Sequence, residues 1–456
     1  MEYLLFAAAG VTALISIAIL PKVCSENSFF TGFSPEGRAP SVFTLTFSQV
    51  TTWIFARSLM NAAILGYYYG IWGTFAYAGY YLSFLTGWKI IDQVRFRQGF
   101  NSLHEFFQQR FGHIGISCYN VVIIIRLISE VFANLLVVGI LFGAVGTGIY
   151  NIAVIGFSVA VLFYSMLGGL HASLKTDVFQ MSMFITVLLL LILSVFETNQ
   201  FAFADLNFVA FDITQPGPIL LLVAFLQIWS YPMHDPVMMD RGFIADRETT
   251  RKSFLHAAWI SIICIVAFGC LGVLAGAHAQ EGDSMNSVLM RMLGEWPMLL
   301  LSIALIVSAM STLDSSLSSA SKLIVVDMKW VKPNIFNGRV VMLVFMLLGV
   351  LCVFWGNQDL FSAVAVSGTA SMFLAPVVFF SVLANKPNVP TWSLIFAFFV
   401  AIAGAVLYFL ESSGYTQWLG EAHKYTKLLW ICACVLVSGC TAFWLGLMKA
   451  NNKTVL

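Results

Sequence analysis

One stretch of the chain places hydroxyl groups and a carboxylate inside an apolar segment: S-A-M-S-T-L-D-S-S-L-S-S-A-S, residues 308–321. On a helix, residues three and four apart lie on the same face. This spacing therefore puts several hydroxyl-bearing side chains on one stripe, namely Ser308, Ser311, Thr312, Ser315 and Ser319.

Two interpretations of this hydroxyl stripe remain open. Small polar residues let membrane helices approach closely and form hydrogen bonds with each other. Oxygen-bearing groups are also the ligands that hard cations take. Asp314 favours the cation site, because a carboxylate at membrane depth is costly and usually functional.

The composition is that of a membrane protein. Of the 456 residues, 59% are hydrophobic and only 10% are charged, whereas a soluble domain carries about 25% charged residues. We therefore expect an all-α polytopic membrane protein with the lipid bilayer as a partner. The net charge of +1 gives no basis for nucleic-acid binding, and the eight scattered cysteines indicate no disulfide framework.

Apolar segments of spanning length recur along the whole chain. They predict about thirteen transmembrane helices, at residues 3–20, 41–68, 70–92, 114–142, 149–169, 175–196, 217–239, 254–278, 297–326, 338–355, 358–384, 391–411 and 426–448. The positive-inside rule predicts the N-terminus outside and the C-terminus inside. The inner loops then hold most basic residues, including Lys22 and Arg241, and the outer loops hold only Arg291, Lys424 and Lys427.

The hydroxyl stripe resembles the signature helix of the sodium/solute symporter family, which reads A-x-x-S-T-x-x-S before small residues and an acidic residue. Here Ser308 stands where the family usually has Ala, and Asp327 is the acidic residue. The resemblance implies a LeuT-like fold of inverted repeats (5+5), transport by alternating access, and Na+ as the coupling ion.

A second stretch, residues 164–180, also resembles this family, which has Y-x-x-L-G-G-L-x-A-x-x-x-T-D-x-x-Q there. We expect the glycines 168–169 to form the turn between two helices, and Thr176 and Asp177 to begin the second one. An Asp at that point has an ordinary capping role. The resemblance adds the alternative of a second sodium site, found in some members, which here would consist of Asp177, Ser311 and Ser315.

Two segments carry the signs of an interrupted helix. Pro232 and Pro236 remove helix hydrogen bonds within 217–239, and the segment 41–68 carries several polar residues and an arginine. Each repeat of many secondary transporters opens with an interrupted helix. We therefore expect a preceding helix and inner loop at 1–40, the first repeat at 41–196, the second repeat at 217–384, and two additional C-terminal helices at 385–456.

In the sodium/solute symporter family, the shared sodium site lies between the first interrupted helix and the hydroxyl stripe. Carried across, the first helix supplies the carbonyls of Thr51 and Ile54, or of Thr52 and Phe55 if the register moves by one residue. The remaining ligands are the carbonyl of Ser308 and the hydroxyls of Ser311 and Thr312.

The first interrupted helix is locally similar to the urea and polyamine permease branch of the family, whose pattern is S-S-W-x-W-A-x-T-L…Y-x-Y-G. Arg57 is not part of that pattern. A cation at the interruption could hold a carboxylate or another anionic solute. It could equally pair with Glu130 or Asp235. Arg126 lies four residues before Glu130, so these two can also pair with each other.

These patterns predict sodium-coupled symport of a small polar solute across a plasma membrane, with a bacterial inner membrane favoured. A proton-coupled carrier and a non-transporting membrane sensor of the same fold are the alternatives. The sequence carries no nucleotide-binding loop, metal cluster or nucleophile–base pair, so no enzyme activity is expected. We expect the solute to contact residues near the two interruptions: Trp53, Arg57, Asn61, Arg126, Glu130, Gln227, Trp229, Tyr231 and His234.

Overall fold

The computed structural model describes residues 2–20, 25–197, 206, 210–355 and 360–454. In these residues the regular structure is helical, and eight helices are long and apolar enough to cross a membrane. The prediction of an all-α, multi-pass membrane protein is thereby confirmed. The count of thirteen spans and the orientation of the termini stay predictions, and Lys22 lies outside the described residues.

In the described residues before position 198, the α-helices comprise two short ones and five longer ones. Three of the longer helices bend across a glycine with positive φ, at Gly70, Gly112 and Gly169. The bounds are α1 (Glu2–Ile19), α2 (Glu26–Thr31), α3 (Val42–Trp53), α4 (Ala56–Gly79), α5 (Ser83–Ile91), α6 (Leu103–Phe142) and α7 (Gly148–Glu197).

The part after residue 210 begins with a second interrupted helix and ends with two long apolar helices. Its bounds are α8 (Pro216–Gln227), α9 (Pro236–Gly242), α10 (Arg247–Ala277), α11 (Met285–Leu293), α12 (Glu295–Lys322), α13 (Ile335–Trp355), α14 (Leu360–Ala370), α15 (Leu374–Pro376), α16 (Thr391–Ser412) and α17 (Lys424–Thr454). The repeat boundaries at 41–196 and 217–384 stay predictions.

Gly169 forms the turn that the sequence predicts within α7. Its φ is 59°, and a Cβ at this position would lie 2.4 Å from the main-chain oxygen of Phe29. Helical geometry resumes directly after Gly169. The prediction that Thr176 and Asp177 begin a helix is therefore wrong. Asp177 lies about two turns inside, beyond the first-turn N–H groups that a capping side chain satisfies.

Both predicted helix interruptions are present. The first separates α3 from α4 at Ile54 and Phe55, where Ile54 has a non-helical ψ of 70°. The hydroxyl of Tyr81 donates to the carbonyl of Trp53 at 2.8 Å, which satisfies one of the carbonyls left free at the end of α3. The second separates α8 from α9, and a short 3-10 turn, Tyr231–His234, lies between them.

The hydroxyl stripe lies on α12, at the centre of the helical bundle. The apolar part of this helix is 83% buried inside the protein. It packs against α7, α6, α3, α4 and α9. Because α3, α4 and α9 flank the two interruptions, α12 brings its hydroxyl groups next to non-helical backbone.

Candidate ion and solute site

Ser308 joins α12 to the first interruption. Its hydroxyl donates a hydrogen bond to the carbonyl of Ile54, the residue with the non-helical ψ. Its own carbonyl accepts the Thr312 hydroxyl at 3.0 Å. The expectation that Ser308 contributes only through its carbonyl was therefore incomplete, because its side chain also reaches the interruption. Thr51 lies buried in the last turn of α3.

The oxygen atoms at this junction fit a hard monovalent cation. They comprise the Ile54 carbonyl, the Ser308 hydroxyl and carbonyl, and the Thr312 hydroxyl. All three residues are buried. Uncharged carbonyl and hydroxyl groups suit alkali and alkaline-earth ions rather than transition metals, which favour sulfur and imidazole ligands. Phe55 is the N-cap of α4, and its carbonyl accepts the Leu59 N–H at 3.0 Å. The register with Thr51 and Ile54 therefore fits better.

The three residues of the possible second sodium site do come together. Asp177 accepts hydrogen bonds from the hydroxyls of Ser311 at 2.6 Å and Ser315 at 3.2 Å. Ser48 of α3, which the sequence gave no reason to include, donates to the same carboxylate at 2.5 Å. Each of these side chains is fully buried.

Arg241 is a second residue of this cluster that the sequence reasoning missed. The sequence predicts that this arginine lies in an inner loop, but the structure places it within α9 with no exposed side-chain surface. Its Nη2 lies 3.4 Å from Asp177 Oδ2 and donates to the Ser315 hydroxyl at 2.8 Å. Its Nε donates to the Ser48 hydroxyl at 3.1 Å. The signal that could have indicated its burial is its position in the helix that begins at Pro236, four residues after Val237.

Asp314 lies between Ser311 and Ser315 on α12. Its carboxylate accepts the Thr176 hydroxyl at 2.8 Å, and only 1% of the residue is exposed. Among the described residues, no lysine or arginine lies within ion-pair distance of it. Asp314 is therefore a second buried carboxylate in the region of Asp177.

Arg126 forms the charged centre at the second interruption. Its Nη2 lies 2.5 Å from Glu130 Oε1 and 3.1 Å from Asp235 Oδ2. Asp235 is also the N-cap of α9, where its other oxygen accepts the Met238 N–H at 3.0 Å. The Ser316 hydroxyl donates to Glu130 at 3.1 Å and connects this centre to α12. Arg126 therefore forms ion pairs with both nearby carboxylates.

Arg57 is left without a carboxylate in the described part of the chain. Only 1% of the residue is exposed, its Cζ lies 5.6 Å from the centroid of the Phe55 ring, and its Nε has no hydrogen-bond partner there. Asn61 follows one turn later on the same face of α4, and its buried Nδ2 also has no partner in that part. The alternative that Arg57 pairs with Glu130 or Asp235 is therefore not realised.

Aromatic side chains surround these polar groups. The Trp53 ring centroid lies 5.4 Å from that of Tyr231, and Tyr231 lies 5.8 Å from Tyr80. Together with Phe55 and Ser58 they line a cavity of about 20 Å3, room for about one water molecule.

The other predicted solute contacts divide into two groups. Gln227 accepts the Tyr80 hydroxyl at 2.9 Å, and His234 contacts the Tyr231 carbonyl at 2.7 Å, so both lie beside the aromatic cavity. Trp229 instead packs against Phe379, with ring centroids 5.4 Å apart. No hydrogen bond or ring contact in the described residues joins the Trp229 side chain to the rest of the candidate site.

A second set of ion pairs lies at the other end of α12. Lys322 reaches Asp240 of α9 at 2.5 Å and Asp327 at 3.1 Å. Asp327 is the acidic residue that ends the motif of the hydroxyl stripe. Under the predicted orientation, these pairs lie on the cytoplasmic side and connect α9 to α12 there.

Two interrupted helices around a polar centre define the fold of a LeuT-like secondary transporter, and comparison with solved structures confirms this fold. The chain is similar to a Na+-coupled sialic acid symporter in a substrate-bound outward-open state, with a TM-score of 0.74 and 15% identity over 97% of this chain and 98% of that one. It is also similar to Mhp1, a nucleobase-cation-symport-1 family transporter in a closed conformation with bromovinylhydantoin bound. That match has a TM-score of 0.56 and 11% identity over 92% and 97% of the two chains. No protein-family model and no curated protein sequence matches the chain.

Proposed function

We propose that the protein is a sodium-coupled symporter of the sodium/solute symporter family, which carries a small anionic solute by alternating access. The observation that carries this proposal is the contact between the Ser308 hydroxyl and the Ile54 carbonyl. It brings the oxygen atoms of α12 to non-helical backbone of the first interrupted helix, which is where the resemblance expects the shared sodium ion.

Arg57 supports an anionic solute. A buried guanidinium without a carboxylate partner carries a large desolvation cost, and a solute carboxylate would offset that cost through charge-assisted hydrogen bonds. The Nδ2 group of Asn61, which has no hydrogen-bond partner among the described residues, lies one turn away and adds a second donor. Trp53 and Tyr231 supply apolar walls, and such a mixture of apolar lining and few polar anchors is typical of small-molecule sites.

The charges around this site disfavour a cationic solute. The two carboxylates of Glu130 and Asp235 outnumber the guanidinium of Arg126, and Arg57 balances them, so the four groups sum to zero. A cationic solute would be repelled by Arg57 and would find both carboxylates already paired.

Alternating access requires that the site opens to one side at a time. The Lys322 pairs with Asp240 and Asp327 hold α9 against α12 on the predicted cytoplasmic side. They must break before the solute leaves in that direction. The two similar structures come from cation-coupled transporters in outward-open and closed states, which supports this cycle for a chain of the same fold.

The proposed function is tested without knowing the solute. We expect sodium to raise the melting temperature of the purified protein relative to choline at equal ionic strength, because a ligand that binds only the folded state stabilises it by about 2.7 kcal/mol at 100 times its Kd. Thr312→Val should remove this effect. Thr369→Val is the matched control, since Thr369 is equally buried and bonds to the carbonyl four residues earlier.

A sodium effect that survives in Thr312→Val, or one that Thr369→Val also removes, would contradict the proposed ion site. A protein that responds to pH but not to sodium would instead be a proton-coupled carrier. If sodium stabilises the protein but no solute accumulates in proteoliposomes at any sodium gradient, the sensor alternative is correct.

A further inference from the structure

The cluster around Asp177 joins four helices through one guanidinium. Arg241 on α9 contacts Ser48 on α3, Asp177 on α7 and Ser315 on α12. Its remaining nitrogen, Nη1, donates to the Val237 carbonyl of its own helix at 3.1 Å. Every nitrogen of the guanidinium therefore has a partner inside the protein.

Arg241 engages the same atoms that a second sodium ion would need. Its Nη2 lies against the carboxylate of Asp177 and the hydroxyl of Ser315. Both belong to the three residues that the resemblance assigns to that ion. Ser311 donates to the other carboxylate oxygen. A metal ion between these ligands would lie next to a fixed positive charge in a buried setting, where repulsion between like charges is strong.

We infer that Arg241 is the resident cation of this site, so that Asp177 binds no sodium and each transport cycle carries one sodium ion. This inference rests on the proposed function, because it fixes the ion count of a sodium symporter. Arginine suits the role because its guanidinium stays charged and its planar donors can contact a carboxylate and two hydroxyls together.

The position of Arg241 also gives the fixed cation a part in the cycle. It follows the second interruption on α9, and Ser48 lies on α3 just before the first interruption. Asp177 and Ser315 lie on α7 and α12, outside the interrupted helices. The guanidinium thus holds the interrupted helices against their neighbours, as a bound ion would, but it remains attached to the protein.

Asp314 makes the inference testable by substitution. It is a second buried carboxylate near Asp177 and has no lysine or arginine partner in the described residues. Removal of the guanidinium would leave two carboxylates and several hydroxyls without a cation. Such a group of oxygen atoms takes a hard cation, so the loss of Arg241 should create a sodium site.

The experiment counts bound sodium ions on the full-length protein with radioactive sodium. We expect one ion per molecule in the unmodified protein, two in Arg241→Gln, and one in Arg241→Lys, which keeps a positive charge. The double variant Arg241→Gln with Asp177→Asn should return to one ion. Arg95→Gln is the matched control: Arg95 also donates to main-chain oxygens near the end of α9, at Gly242 and Ala245, but does not contact Asp177.

The possible outcomes distinguish a failure of this inference from a failure of the proposed function. Two ions in the unmodified protein, reduced to one by Asp177→Asn, would overturn the inference and leave sodium symport intact. No bound sodium in the unmodified protein would overturn the proposed function itself. One ion in a folded Arg241→Gln would show that the guanidinium is not what excludes the second ion. If Arg241→Gln does not fold, Asp177→Asn alone still decides, because the inference requires an unchanged count of one.

Discussion

Arg57 and Arg126 lie against the same aromatic ring but have different partners. Their Cζ atoms are 5.6 Å and 5.5 Å from the centroid of Phe55. Arg126 forms ion pairs with two carboxylates, whereas Arg57 forms none among the described residues. One arginine is thus committed to the protein, and the other is available to a ligand.

The unpaired arginine predicts which solutes the protein recognises. We expect Arg57→Gln to lower sodium-driven uptake into proteoliposomes by about tenfold to a hundredfold, since hydrogen bonds to charged groups are worth about 1.5–3 kcal/mol. The measurement screens small carboxylates and their matching neutral amides. Arg57→Lys, which keeps the charge, should retain part of the uptake. Equal transport of an acid and its amide by the unmodified protein would contradict this role.

Substitution of the paired arginine, Arg126, should cause a large loss of stability. We expect Arg126→Met to destabilise the protein by about 3–5 kcal/mol, because it leaves Glu130 and Asp235 buried without a partner. The free energy is compared through the melting temperature in detergent. Addition of Glu130→Gln and Asp235→Asn should restore part of the loss. Arg251→Met is the control, since its pair with Glu248 is more than half exposed and should contribute less than about 1 kcal/mol.

The turn in α7 predicts different costs for two similar glycine substitutions. Gly169 and Gly112 have φ values of 59° and 65°, but only at Gly169 would a Cβ meet other atoms within 4 Å. We expect Gly112→Ala to cost about 1–3 kcal/mol from backbone strain, because φ 65° with ψ −164° is a conformation that essentially only glycine adopts. Gly169→Ala should cost about 1–3 kcal/mol more, because the Phe29 main chain must move. Equal melting temperatures for the two variants would argue against this close packing.

The ion pairs of Lys322 predict a shift of the transport equilibrium. We expect Lys322→Met to favour the state that is open towards the cytoplasm, because α9 then loses its ion pair with α12. The probe is a cysteine at Ile123, which is 1% exposed and lies beside Lys322 and Asp240. In a background without the native cysteines, its alkylation should be about tenfold faster, equivalent to about 1.4 kcal/mol. Lys252→Met, at an exposed pair, should leave the rate unchanged.

The sequence predicted those features that depend on local chemistry. Pro232 and Pro236 determine the second interruption because they lack N–H groups, and the spacing of Ser308, Ser311 and Thr312 determines their common face. The turn at Gly169 is also a local feature, because it depends on the conformational freedom of the glycine itself. Each of these properties is contained within one helix or one turn.

The features that the sequence did not predict depend on contacts between distant helices. Arg241 follows the apolar run of α9 and resembles an ordinary cytoplasmic charge, but it is buried because Asp177, 64 residues earlier, and Ser48, 193 residues earlier, lie beside it. Asp177 looked like a cap because the helix start was placed at Thr176, six residues after the point where helical geometry resumes. Trp229 lies beside the interruption in sequence, yet the packing of α8 turns it towards Phe379.

The fixed guanidinium of Arg241 has a consequence for what drives accumulation. A solute with one negative charge that crosses with a single sodium ion moves no net charge. The membrane potential, which is worth about 2.3 kcal/mol per charge at 100 mV, then drops out of the driving force. A tenfold sodium gradient would support only about tenfold accumulation, equivalent to about 1.4 kcal/mol. A cell that uses this protein would therefore concentrate the solute according to its sodium gradient and independently of its membrane potential.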